Sequence, residues 1–344
     1  MESASSEIAQ KINGSKNKKL KIGMIFPGQG SQFLGMGKEF YNENRTVQEL
    51  FEDASACMGK NFVKLCFASS EELLRGTIET QTAVFLVSVS IFSVLKEKYG
   101  IVPDLVAGHS LGEYSAVFAA GGMNFADSIY LLSKRAKFME EAVKNQDGGL
   151  LAVLGFPEDK LRKICEQYDK PDTLTNVAEI GCFNSPEQLV VSGTIPELEL
   201  IAQDIEMLRG KAVMLPIKGG FHSRLLHQAE QLFSQYLLKV DFNKLNIPLV
   251  SNVTAQKITS AESVKLSLVR QTSSRVRWWE SMKHFEKMDL IVEIGPNDKL
   301  AKMIKREWPD KPIVSINSLR DLDKFGRALE RLDPNLQCCF NSVQ

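Results

Sequence analysis

Ser110 sits in Gly108-His109-Ser110-Leu111-Gly112, a G-x-S-x-G pentapeptide that joins a hydroxyl nucleophile to two residues able to make a tight turn. The apolar Leu105-Val106-Ala107 precedes it, and residues 113–120 follow as a helix ended by Gly121-Gly122. Strand, glycine-flanked serine and helix are the context of a nucleophile elbow, which lifts the hydroxyl above a sheet at the positive end of a helix. The N–H of Leu111 then points to where an oxyanion would form. The other meaning is an ordinary turn serine, because the pentapeptide also arises by chance.

A serine nucleophile needs a base, and the chain has four histidines. His109 adjoins the serine and must point away from the turn. His227 falls in a polar helical stretch, and His284 lies mid-helix beside Phe285. His222, in Gly219-Gly220-Phe221-His222-Ser223, stands on a loop between a strand and a helix, which makes it the candidate base. A triad would also want an acid. Asp289, Glu293 and Asp298 lie near strand ends, and a backbone carbonyl could orient the histidine equally well. A second loop, Pro27-Gly28-Gln29-Gly30-Ser31-Gln32, follows an apolar strand and can bring backbone N–H groups to an anion. No Gly-Lys-Ser/Thr follows it, so it is not a nucleotide P-loop. A tight strand-to-helix connection would look the same. Arg135 falls at the edge of a helix's apolar stripe, where an arginine ordinarily extends its head to water.

The elements that must position these residues alternate between strand and helix. The chain has 344 residues, enough for a large domain with a smaller inserted one. Lys+Arg and Asp+Glu both number 42, so no bulk field draws the chain to nucleic acid or an anionic membrane. Six cysteines form no C-x-x-C pair and no zinc-like spacing with the histidines, which points to free thiols, mostly core filler, in a reducing compartment. No uninterrupted apolar run approaches the length of a bilayer span. Residues 1–19 lack both the apolar core of a signal peptide and the arginines of a transit peptide, so they read as a disordered lead-in and the expected location is cytoplasmic. The tail 333–344, with Cys338-Cys339, offers little to bury.

Residues 21–26 read as a first strand, and the pattern from about 33 to 100 is helical, with one clear helix over 82–99. Asn124–Asp127 resembles a capping box that opens a helix to about Val143. Next come a strand at 150–156, a helix at 157–168, strands at 177–183 and 188–192, a helix at 196–208 and a strand at 211–217. That βαββαβ order is the ferredoxin-like unit. Beyond it, 247–252 reads as a strand, 261–271 and 278–287 as helices, 290–294 as a strand, 299–306 as a helix, 313–316 as a strand and 321–332 as a closing helix. The expected fold is α/β: an α/β-hydrolase-like large domain with a mostly parallel sheet over 20–147 and 219–332, and an inserted ferredoxin-like subdomain over 148–218.

These motifs, in this order, resemble the malonyl-CoA:acyl carrier protein transacylases and the related acyltransferase domains of polyketide synthases. The resemblance runs from about residue 21 to 330. It rests on Phe26–Gln32, Gly108–Glu113, Arg135 with Phe138-Met139, Asn184-Ser185-Pro186, Phe221-His222-Ser223, Ser251-Asn252-Val253, Val269-Arg270-Gln271 and Glu293-Ile294-Gly295-Pro296. It implies Ser110 as nucleophile, His222 as base and the main-chain carbonyl of Gln271 as the group orienting that base. It further implies an oxyanion hole from the N–H groups of Gln29 and Leu111, and Arg135 as partner of the malonyl carboxylate, for which a planar two-pronged donor is well shaped. The implied reaction is ping-pong transfer of malonyl from malonyl-CoA to acyl carrier protein, supplying fatty acid synthesis, with no metal or bound cofactor. The default assembly is a monomer.

Three positions depart from the family pattern: Cys182 where an Asn is frequent, Ser274–Trp278 without the usual proline, and Asn297 in place of a second Gly. Three rivals stay open on sequence alone. A serine hydrolase of acyl-CoA would pair an acid with His222, a transacylase for another extender unit would keep Ser110 and His222, and a scaffold would use the Gly28–Gly30 loop as an anion platform. Lys218, Arg224 and Arg275 are candidates for meeting an acidic carrier protein.

Overall fold

The computed structural model describes residues 20–144 and 146–334; the expectations for residues 1–19 and for Cys338-Cys339 lie outside the described residues. Ten strands form among the described residues: β1 Ile22–Phe26, β2 Leu105–Gly108, β3 Gly148–Leu154, β4 Ala178–Ser185, β5 Gln188–Thr194, β6 Lys211–Met214, β7 Leu249–Val250, β8 Lys257–Ile258, β9 Leu290–Ile294 and β10 Ile313–Ile316. The chain divides into two units. Of the described residues, one unit holds those up to Tyr130, Lys244–Leu249 and those from Phe285 onward; the other holds those within Leu131–Asn243 and Val250–His284.

In the first unit, β1 is buried at all five positions, as expected of a strand covered on both faces. The order is β10-β9-β1-β2-β7, and every pairing is parallel. Register places Phe26 opposite Gly108, and Ile25 opposite both Ala107 and Glu293. The loops after β1, β2 and β9 therefore leave the same end of the sheet, the carboxyl end where open α/β sheets bind ligands. The helix Thr77–Tyr99 is buried on nearly all sides, with Phe92 edge-on to Phe26 at 6.2 Å. This helix is long and apolar enough to cross a membrane, but 83% of its most apolar window is buried in the protein, as in a core helix. Five more residues than expected join it at the start, from Thr77, because Gly76 precedes it and the polar Thr80 is held by the Leu74 carbonyl at 2.6 Å.

The second unit carries an antiparallel sheet of order β4-β5-β3-β6. Period-two alternation sends Leu151, Val153, Leu189 and Val191 to one face. There they pack with Leu161 and Ile164 of the helix Glu158–Tyr168, and with Leu198, Ile201 and Ile205 of the helix Ile195–Met207. The unit is larger than the expected insert, because it takes in chain on both sides of 148–218.

Two local expectations fail for visible reasons. The strand at 247–252 shrinks to Leu249–Val250: Pro248 has no N–H to give a ladder, and Ser251–Gln256 closes a turn through Ser251 N–H to Gln256 C=O at 3.0 Å. The helix from Trp278 ends at Met282 and tightens into a 3₁₀ turn at Lys283–Phe285.

Candidate active site

In the first unit the serine's geometry comes from crowded backbone. A Cβ on Gly108 would lie 1.9 Å from the carbonyl carbon of Gly112, and one on Gly112 would lie 2.2 Å from the Phe26 carbonyl oxygen. No side chain fits at either glycine of the pentapeptide. The turn between them is closed by His109 N–H to Phe26 C=O at 2.9 Å and Gly112 N–H to His109 C=O at 3.0 Å. Ser110 itself takes φ 53°, a left-handed conformation uncommon outside glycine, which costs about 1–3 kcal/mol and is typical of functional sites. The helix Gly112–Ala119 starts immediately after it. The loop carrying Gln29 presses on the same turn, since a Cβ on Gly28 would be 2.4 Å from the His109 carbonyl oxygen. Two backbone stretches, one bearing Gln29 and one bearing Leu111, thus meet beside the serine. Asn297 donates to the Ser31 carbonyl at 2.9 Å, and Lys299 reaches the Gly30 carbonyl, so the loop after β9 holds the Gln29 loop.

In the second unit His222 and Arg135 are held by hydrogen bonds. His222 is buried and has φ 64°, another strained non-glycine position. Its neighbours fix the loop: Ser192 Oγ donates to the Phe221 carbonyl and Ser223 Oγ to the Gly220 carbonyl, each at 2.6 Å. Nδ1 of His222 lies 2.9 Å from the Gln271 main-chain oxygen. A carbonyl can only accept, so Nδ1 carries the proton and Nε2 is left as the basic nitrogen. Gln271 ends the helix Ala261–Gln271, where carbonyls have no partner within the helix. Arg135, in the helix Phe125–Lys144, is only 1% exposed, so it does not reach to water as its sequence position suggested. Its Nη2 donates to Gln271 Oε1 at 2.9 Å. One glutamine therefore touches the histidine through its backbone and the arginine through its side chain. Sequence reasoning identified the carbonyl only through a resemblance and missed the amide, because residues 136 apart give no local signal.

The acids weighed as triad partners are occupied elsewhere. Glu293 accepts from the N–H groups of Leu300 at 3.1 Å and Ala301 at 2.8 Å, capping the helix Lys299–Glu307, and also from Ser315 Oγ at 3.2 Å. Burial pushes its carboxyl up to about 7 against the lowering pull of those hydrogen bonds. Asp289 accepts from Lys21 N–H at 2.8 Å, and Asp298 pairs with Lys302 at 2.9 Å. Two of the three candidate docking cations are likewise committed. Arg224 is paired with Asp169 and Glu179 and bonded to the carbonyls of Thr173, Lys170 and Asn176. Arg275 is paired with Glu158 at 2.8 Å and lies 5.2 Å over the Phe183 ring. Both are engaged within the protein. Two of the departures from the family pattern meet one another, because Cys182 forms a parallel bridge with Val276. Burial pushes the Cys182 thiol up to about 12, which keeps it unreactive. Among the described residues no group of three His, Cys, Asp or Glu could hold a metal ion.

Residues 24–328 match the acyl transferase domain, and the chain belongs to that family. A malonyl CoA-acyl carrier protein transacylase of Bacillus subtilis (strain 168) is 36% identical over 290 residues, which are 83% of this chain and 90% of that one. The solved structure of a malonyl CoA-acyl carrier protein transacylase from Clostridium perfringens superposes with a TM-score of 0.86 at 31% identity, covering 92% of this chain and 99% of that one. A solved complex described as a type II polyketide-synthase acyl carrier protein with its malonyl-transacylase gives a TM-score of 0.85 at 32% identity, covering 90% and 99%.

Proposed function

We propose that this protein transfers a malonyl group from malonyl-CoA to the phosphopantetheine thiol of acyl carrier protein through a malonyl-serine intermediate, supplying fatty acid synthesis. The observation that carries the proposal is the attachment of a buried histidine and a buried arginine to Gln271. It supplies both an oriented base and a cation suited to an acyl group that ends in a carboxylate.

In the first half-reaction Ser110 Oγ attacks the thioester carbonyl and its proton passes to His222 Nε2. The oxyanion of the tetrahedral intermediate accepts from the N–H groups of Gln29 and Leu111. The C–S bond breaks, and the CoA sulfur leaves with the proton from His222. In the second half-reaction His222 takes the proton of the phosphopantetheine thiol, the sulfur attacks the malonyl ester, and Ser110 Oγ departs with that proton. Arg135 pairs with the malonyl carboxylate throughout, and an acetyl group would leave it without that partner. The chemistry calls for no metal or cofactor. The Gln271 carbonyl does the orienting that an acid does in a hydrolase triad, and the commitment of Glu293 to a helix cap favours transfer over the hydrolase alternative.

We read the first unit's sheet as α/β-hydrolase-like on the strength of its elbow, and residues 148–218 as a ferredoxin-like subdomain on the strength of its strand order. A large domain over 20–147 and 219–332 goes with that division. The same reading takes the protein as a cytoplasmic monomer, for which the unpaired thiols of Cys57, Cys66, Cys165 and Cys182 argue on the question of compartment.

The test is incubation of the full chain with malonyl-CoA and a phosphopantetheinylated acyl carrier protein, followed by the carrier's intact mass. Transfer adds one malonyl group to the carrier as CoA is released. Release of CoA with an unmodified carrier would instead establish a hydrolase.

A further inference from the structure

The side chain of Gln271 has a role separate from that of its carbonyl. We propose that Gln271 is a positioning residue for acyl selectivity, a neutral acceptor that aims the Arg135 guanidinium without competing for the substrate's carboxylate. The inference rests on the proposed malonyl transfer.

Gln271 is fully buried, and Arg135 nearly so. Guanidinium has only donors, so the amide must turn its oxygen to Arg135 Nη2, at 2.9 Å. That bond restrains a long side chain which would otherwise lose rotamer freedom when substrate binds. The acceptor's charge matters as much as its place. A glutamate of the same length would form a charge-assisted pair with the guanidinium and compete with a malonyl carboxylate. Glutamine supplies direction without that competition. Because its main-chain oxygen meets His222 Nδ1 at 2.9 Å, the helix end that orients the base also orients the anion partner. Substitution of the side chain leaves the carbonyl in the chain, so the two roles can be separated.

The experiment compares wild type, Gln271→Glu and Gln271→Met for loading of Ser110 from malonyl-CoA and from acetyl-CoA, read as intact mass against time. Gln271→Glu is expected to lower the malonyl-to-acetyl loading ratio about tenfold or more, mainly by raising KM for malonyl-CoA. Gln271→Met, which removes the acceptor without adding charge, is expected to lower the ratio less. A binding readout accompanies this in a Ser110→Ala background. There malonyl-CoA raises the melting temperature more than acetyl-CoA does, and adding Gln271→Glu erases the difference. A purely structural glutamine would slow both acyl donors alike and leave the ratio and the melting difference unchanged, and that result overturns the inference. If wild type loads malonyl but Gln271→Glu keeps the wild-type ratio, only the role of Gln271 falls. If wild type loads no acyl group, the proposed function falls with it.

Discussion

Ser110 and His222 share a left-handed backbone, φ 53° and 64°, yet the two units hold them there by different means. Around Ser110 the restraint is exclusion: Gly28, Gly108 and Gly112 let backbone approach where any Cβ would collide. Around His222 it is attachment: hydroxyls of Ser192 and Ser223, the carbonyl of Gln271 and the ion-paired Arg224 two residues on tie the loop down. Exclusion tolerates almost no substitution and fails abruptly. Attachment is spread over several bonds of about 1 kcal/mol each, so single losses weaken it by degrees.

The comparison can be broken at several points. Ser110→Ala removes the proposed nucleophile and is expected to lower kcat by about 10⁴-fold or more, with the melting temperature near wild type, measured by carrier loading and thermal unfolding. Gly108→Ala tests exclusion. With a Cβ 1.9 Å from the Gly112 carbonyl carbon, it is expected to cost about 3 kcal/mol or more of stability in denaturant unfolding. A loss below about 1 kcal/mol would mean that the elbow can relax and that exclusion is the wrong description. Arg224→Met tests attachment by leaving Asp169 and Glu179 without their cation, at a cost of about 2–3 kcal/mol of stability, less than for a deeply buried pair because Glu179 is a third exposed. Its kcat should fall too, because the His222 loop loosens.

Glu293 gives a smaller effect with a definite sign. Its carboxyl is raised to about 7 in the fold from an ordinary 4.5, so the folded state binds more protons than the unfolded state between those values. Stability therefore declines as pH rises from about 4.5 to about 7 and then levels. Glu293→Gln is expected to flatten that decline in a series of melting curves. Asn297→Gly sharpens the picture most gently: losing its bond to the Ser31 carbonyl and the exposed one it accepts from Lys299 N–H should cost about 1 kcal/mol and trim kcat without altering KM.

The same contrast explains what could be read from sequence. Exclusion leaves a local signature, because glycines must stand at fixed offsets from the serine, and 108–112 declares the elbow without any fold. Strands whose residues are wholly buried, such as 290–294, and helices opened by a side-chain cap, such as 261–271, also match their expected bounds. Attachment leaves no such trace. Arg135 looked like a surface arginine because its partner lies 136 residues away. Arg224 and Arg275 looked free for the same reason: their carboxylate partners are remote in sequence.

The central claim is that Ser110 carries the acyl group and Arg135 selects it. The most direct measurement is the intact mass of wild type, Ser110→Ala and Arg135→Ala after brief incubation with malonyl-CoA, with the modified peptide located by digestion. The account predicts a malonyl adduct on the Ser110 peptide of wild type, none on Ser110→Ala, and loading slowed by about 2–5 kcal/mol in transition-state terms for Arg135→Ala. An adduct that persists in Ser110→Ala, or Arg135→Ala loading malonyl as fast as wild type, would contradict it.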